Sequence, residues 1–185
     1  MTNPARPILF TGSSIIALWQ GLARFFPGET VLNTAISGAQ TADLLSRLDE
    51  LVVVHHPRLV CYYCGSNDIN NALPPPQIAA NVVRTFDLLC HELPALRFAY
   101  LSIIRAPQKA DVINQVDEVN VRIAQIAVPR PNFRFLEINP VFFNEQGAPR
   151  LDFFLDDGLH LTPAAYNALG AYLNPRVLAL AGGMD

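Results

Sequence analysis

Ser13 and Ser14 follow Thr11-Gly12 and stand directly ahead of an apolar stretch that begins at Ile15, while Asp157 and His160 lie near the other end of the chain in Asp157-Gly158-Leu159-His160. A hydroxyl at the start of a helix meets backbone N–H donors and the positive end of the helix dipole, which suits a developing alkoxide or a bound anion. The same serines could equally do no more than cap that helix. Three residues of separation let the Asp157 carboxylate curl back and accept from His160 Nδ1, which fixes the tautomer that leaves Nε2 free as a base. Between these ends stand Asn33-Thr34-Ala35-Ile36-Ser37-Gly38 and Gly65-Ser66-Asn67-Asp68, and each has a glycine that permits tight backbone geometry. A glycine N–H and an asparagine side chain from these segments could meet at one oxyanion if their loops converge. Gly, Asn, Ser and Asp also dominate turns for local reasons, so either segment could serve only its own loop. Taken together, a nucleophile, two oxyanion donors and an Asp–His pair are the parts needed for acyl transfer.

Such parts act together only if the elements between them bring the loops to one place. Short apolar runs at Ile8–Thr11, Thr30–Asn33, Leu59–Cys64, Phe98–Ile104 and Phe133–Ile138 lack the polar alternation of half-exposed strands. Continuous apolarity predicts strands covered on both faces, as in a parallel sheet. Helical spacing appears in Leu44, Leu45, Leu48, Leu51 and Val52, in Ile78, Val82, Phe86, Leu89 and Leu93, and in Val112, Val116, Val119, Ile123 and Ile126. A last helix is predicted from Thr162-Pro163 through Tyr166, Leu169, Leu173 and Leu178, with Pro175 kinking or ending it. Strand and helix in alternation describe a three-layer α/β/α sandwich with right-handed crossovers, although this pattern leaves the strand order open. Ligands of such folds bind where the carboxyl ends of the strands release their loops, and all four segments follow that rule.

The chain has 185 residues, of which 51% are hydrophobic and 16% charged. An average soluble domain has about 25% charged residues. A single domain over 1–185 is expected, and a chain with this much apolar surface to bury does not stay disordered. Thirteen Lys and Arg against 16 Asp and Glu give a formal net charge of −3 without a basic stripe, which argues against a nucleic-acid partner. Neither a secretory h-region nor a membrane-length apolar segment is present, so a cytoplasmic protein without a membrane partner is expected. Cys61-Tyr62-Tyr63-Cys64 has the spacing of a redox or metal motif, but on a strand residues three apart face opposite ways, and no second pair lies at ligand spacing. His55, His56 and His91 read as surface or capping residues, and the oligomeric state, a homodimer included, stays open.

In order, the segments Phe10-Thr11-Gly12-Ser13-Ser14, Asn33-Thr34-Ala35-Ile36-Ser37-Gly38, Gly65-Ser66-Asn67-Asp68 and Asp157-Gly158-Leu159-His160 resemble the four blocks of the SGNH or GDSL-type hydrolases. The resemblance implies a flavodoxin-like five-stranded parallel sheet in the order 2-1-3-4-5. It further implies Ser14 as nucleophile, Ser14, Gly38 and Asn67 as oxyanion-hole residues, and Asp157 with His160 as the catalytic pair. Ser13 stands where the family's first block usually carries Asp, and Trp19 follows as in some of its members.

The expected reaction is hydrolysis of a small-molecule carboxylic ester through an acyl-enzyme, with no metal or organic cofactor. Two other readings use the same fold. Thr-Gly-Ser-Ser between a strand and a helix also resembles a flavodoxin-type phosphate loop, which would suit a flavin-binding electron carrier, and a non-catalytic binding domain is the other alternative. The substrate pocket is expected to be lined by Ile69 to Leu73, Arg105 to Gln108 and the set Phe142, Phe143, Phe153 and Phe154, the phenylalanines otherwise packing against their own domain. With little length left for a lid, a short-acyl or acetyl ester is preferred over a long-chain lipid.

Overall fold

The apolar runs form the strands of one parallel sheet, in a computed structural model that describes residues 6–182. The strands are β1 (Ile8–Gly12), β2 (Val31–Asn33), β3 (Leu59–Tyr63), β4 (Arg97–Leu101) and β5 (Phe133–Leu136), in the order β2-β1-β3-β4-β5. The helices are α1 (Ser14–Ala17), α2 (Thr41–Leu45), α3 (Leu48–Leu51), α4 (Ser66–Asn70), α5 (Pro75–Glu92), α6 (Ile113–Ala127) and α7 (Pro163–Gly182). The expected α/β/α sandwich and strand order are therefore both found.

Both faces of the sheet are covered, which is why the strands carry no polar alternation. Leu9, Val60, Tyr62, Phe98, Tyr100 and Phe133 pack with Leu44, Ile78, Val82, Phe86, Val116 and Ile123 of the helices on one side. On the other, Ile8, Phe10, Cys61, Tyr63 and Leu101 pack with Ile15, Ile16, Trp19, Leu169, Leu173 and Val177. Each such side chain contributes about 1.5–3 kcal/mol of burial free energy, and the two cores fix the sheet between its layers. Cys61 and Cys64 fall in different cores, all three cysteines are free, and burial pushes the Cys61 and Cys64 thiols up. The C-x-x-C spacing thus belongs to strand packing.

Because β1 lies between β2 and β3, the chain reverses direction across the sheet there, and the loops after β1 and β3 part to leave a crevice. Gly12 ends β1 against Tyr63 with φ +146°, and a Cβ at Gly12 would lie 2.0 Å from the Tyr63 carbonyl oxygen. Only glycine lets these strands close at the point where the loop to Ser13 and Ser14 begins.

Several boundaries differ from the sequence expectation. Phe98–Ile104 reads as one strand, yet β4 ends at Leu101. Ser102, Ile103 and Ile104 are as buried as strand residues, but the Ile103 N–H donates to Asn120 Oδ1 at 2.8 Å rather than to a neighbouring strand. The single helix expected over Leu44 to Val52 is two short ones, with Arg47 between them at φ −123°. Pro75 and Pro76 open α5 ahead of the expected helical run from Ile78, since their missing N–H groups cost nothing at a helix start. Pro175 does not end α7, because Leu173 and Val177 on either side of it are fully buried and hold the helix to the sheet.

Candidate active site

Thr11-Gly12-Ser13 carries the chain off β1, and the Ser13 N–H donates to the Tyr63 carbonyl at 2.9 Å, binding the loop to β3. Ser14 then starts α1, where its own N–H has no intrahelical acceptor. Trp19 stacks on Tyr166 at 5.4 Å between ring centroids, and the Tyr166 hydroxyl donates to the Ile15 carbonyl at 2.9 Å. These contacts hold the short α1 against α7, and so hold Ser14 against the loop that precedes α7.

That loop is shaped by Asp157. Its Oδ1 accepts from the N–H groups of Leu159 and His160, both at 2.9 Å, and its Oδ2 lies 2.5 Å from His160 Nδ1. His160 Nε2 in turn lies 3.0 Å from Ser14 Oγ, across 146 residues of sequence. An ionised carboxylate only accepts, so Nδ1 carries the ring proton and Nε2 accepts from the Ser14 hydroxyl.

The hydrogen bond from the His160 side chain, helped by the Leu159 and His160 N–H groups, holds the Asp157 carboxyl down to about 2. A carboxylate held low adds stability above its ordinary range and loses it only as pH falls through that lowered value. Asp157 therefore stays charged wherever an imidazole titrates. If the line Asp157–His160–Ser14 is used in catalysis, log kcat/KM should fall by about one unit per pH unit on the acid side down to about pH 4, because one proton is taken up. A slope near two would bring in a second group.

The two glycine-bearing loops converge on the same crevice. The 34–38 segment is tied to β1 by Thr34 N–H to the Phe10 carbonyl and Ile36 N–H to the Gly12 carbonyl, each 2.9 Å, and Asn33 Nδ2 reaches the Ile16 carbonyl at 2.8 Å. Gly38 has φ +81°, and a Cβ there would meet nothing within 4 Å, so its glycine serves the turn. Asn67 Nδ2 donates to the Ala39 carbonyl at 3.0 Å, spending one of its two N–H groups and leaving the other. Beneath it the buried Asp68 accepts from Thr41 N–H at 3.0 Å and Thr41 Oγ1 at 2.5 Å, while burial raises its carboxyl above the usual range. Asn67 and Asp68 thus lock the loop after β3 to the loop after β2.

A cavity of about 390 Å³ adjoins His160, walled by Leu18, Leu155, Leu161, Pro163 and Tyr166 with Gln20 and Arg24. Leu18 and Leu155 are each 48% exposed and present apolar surface to this cavity. Of the residues expected from the sequence to line the pocket, Phe142, Phe153 and Phe154 are buried in the core and Phe143 is half-buried, while Ile69 to Leu73 follow Asn67 and Gln108 touches Gly158 of the His160 loop without walling this cavity. Arg105 and Phe143 instead line a larger recess of about 660 Å³ between α6 and the end of β5, which includes none of Ser14, Asp157 and His160. His55 and His56 sit at the opposite edge before β3, and His91 is an exposed neighbour of Glu92. Among the described residues, no cluster of His, Cys, Asp or Glu could hold a metal ion, and no helix is long and apolar enough to cross a membrane.

The sequence reading missed Lys109, which is fully buried with its ammonium against the loop after β3. It also missed the Ser102, Glu137 and Asn139 side-chain network under the loop after β4, where Ser102 Oγ donates to Glu137 Oε1 at 2.6 Å and Asn139 Oδ1 accepts from the Arg105 N–H at 2.7 Å. Neither has a local pattern that would mark it.

The family model of the GDSL-like Lipase/Acylhydrolase family matches residues 11–168. An arylesterase of Vibrio mimicus is 29% identical over 153 residues, which cover 74% of this chain and 64% of the arylesterase, so the match leaves more than a third of that relative unspanned. A GDSL-like lipase of Bacteroides thetaiotaomicron has a solved structure with TM-score 0.79 and 21% identity, over 94% of this chain and 88% of that one. The lipase/acylhydrolase of Enterococcus faecalis superposes with TM-score 0.76 at 21% identity, over 97% of each chain. At these identities the structures establish the shared fold.

Proposed function

The chain belongs to the GDSL-like lipase/acylhydrolase family, and from that membership we propose that it is a serine hydrolase of carboxylic esters that works through an acyl-enzyme on Ser14. The observation that carries the reading is the continuous line from Asp157 through His160 to Ser14. A flavin carrier would give that line no task.

In this reading His160 Nε2 takes the Ser14 proton as Oγ bonds to the ester carbonyl carbon, and the carbonyl oxygen becomes an oxyanion. The N–H groups of Ser14 and Gly38 and the second N–H of Asn67 hold that oxygen. When the tetrahedral centre collapses, the bond to the alcohol oxygen breaks and His160 returns the proton to it. Water, deprotonated by His160, then releases the acid and restores Ser14. Asp157 keeps the ring oriented and stabilises the imidazolium without taking the proton.

The proposed substrate is a small ester with a short acyl group, acetyl included. His160 must face the leaving oxygen, so the apolar recess beside it suits the alcohol portion, and the likeness to an arylesterase supports an aromatic one. A chain-length series of p-nitrophenyl esters, run beside acetylated sugars, tests this. We expect kcat/KM to peak at two to four acyl carbons, about tenfold or more above a twelve-carbon ester, as a few unaccommodated methylenes would require. A maximum at long chains would overturn the short-acyl preference.

A further inference from the structure

Lys109 is the one lysine of the chain, and it is fully buried. Its Nζ donates to the Ser66 carbonyl at 2.8 Å and to Asn70 Oδ1 at 2.5 Å, the first and last residues of α4. Neither acceptor is a carboxylate, so the ammonium is buried without the partner that usually offsets its desolvation. A buried cation held by two neutral acceptors is a poor choice for stability alone, since an apolar side chain of the same length would fill the space without that cost.

The place of this contact explains its use. Lys109 lies in a turn, Pro107–Val112, whose Gln108 N–H donates to the Gly158 carbonyl at 3.0 Å, inside the Asp157–His160 loop. The same turn therefore touches the loop that carries His160 with one residue and the helix that carries Asn67 with the next. On its far side α4 is bound through Asn67 and Asp68 to Ala39 and Thr41, next to Gly38. We propose that Lys109 is a positioning residue for ester hydrolysis, setting the spacing between the Asn67 oxyanion donor and the His160 loop by anchoring α4 to the Pro107–Val112 turn.

This inference rests on the oxyanion role given to Asn67, and it goes beyond it by naming the group that aims that donor. Burial pulls the lysine down to about 8, but a neutral amine still has two N–H groups for two acceptors, so both contacts survive loss of the charge.

The test is a double-mutant cycle on short-acyl ester hydrolysis. Lys109→Met should lower kcat about tenfold to a hundredfold with KM within about twofold, the size of effect that a misplacement near 1 Å produces. In an Asn67→Ala background the same change should cost no more than about twofold, because the donor that Lys109 aims is gone. Asn70→Ala removes one anchor at an exposed position and should cost about threefold, again only when Asn67 is present. If Lys109→Met does not fold, Asn70→Ala decides alone, and full activity in it overturns the inference. Equal losses with and without Asn67 overturn it also, leaving the oxyanion reading intact. An Asn67→Ala enzyme of undiminished activity would overturn the oxyanion reading and this inference with it.

Discussion

Ser14→Ala should reduce kcat by about 10⁴–10⁶-fold and abolish labelling by a fluorophosphonate, since in the proposed mechanism Oγ supplies the bond on which the whole reaction proceeds. KM should move little, because the hydroxyl adds little to ground-state binding and the change leaves the crevice open. The two adjacent serines are placed differently. Ser14 Oγ lies 3.0 Å from His160 Nε2, whereas Ser13 is buried and is tied to β3 through its N–H. Ser13→Ala should therefore retain activity within about fivefold, a packing-level effect. Residual turnover in Ser14→Ala is expected from the oxyanion hole and binding alone, which give about 10³–10⁴ over water in such sites. If Ser14→Ala kept more than about a tenth of the activity, the nucleophile would have to be sought elsewhere.

Asn67→Ala should lower kcat by about 10²–10³-fold, the usual cost of one oxyanion donor. A ground-state carbonyl oxygen carries only partial charge, while the tetrahedral oxyanion carries a full one, so the lost hydrogen bond is felt mainly in kcat. Asn67 is suited to the task because its other N–H is anchored to the Ala39 carbonyl, which leaves the side chain no reorganisation to undergo when charge develops. Loss of that anchor costs about 1 kcal/mol of stability, too little to unfold the protein. Asn67→Asp is the informative companion. It has nearly the same shape but presents a charge that repels both the oxyanion and the Ala39 carbonyl, so it should fall below Asn67→Ala. Parity of the two variants with wild type, measured as kcat on a short-acyl ester, would remove Asn67 from the oxyanion hole.

Apolar runs identify burial better than conformation, and the departures from the sequence expectation show it. Ile103 and Ile104 are as buried as any strand residue, yet their backbone turns away from the sheet and is satisfied by the side chains of Asn120 and Tyr63. Leu44 to Val52 keeps helical spacing through a break at Ser46-Arg47, because both short helices face the same core. Lys109 was invisible for the opposite reason: a lysine ordinarily reads as a solvated side chain, and only the fold shows it turned inward. The cavity beside His160 was also hidden, since Leu18 and Leu155 look like core residues in sequence and are half exposed in the fold.

What the sequence determined by itself was everything set by neighbours along the chain. The five strands follow from runs of apolar side chains, and the Asp157–His160 pair follows from a spacing of three that lets one loop close on itself. The tertiary structure alone decided what meets across long separations: Ser14 with His160, Asn67 with Ala39, Lys109 with Ser66. Those meetings depend on strand register, on the crevice opened beside β1 and on the packing of α1 against α7. A few ångströms of difference in any of them would leave the same residues, at the same spacings, without a common site.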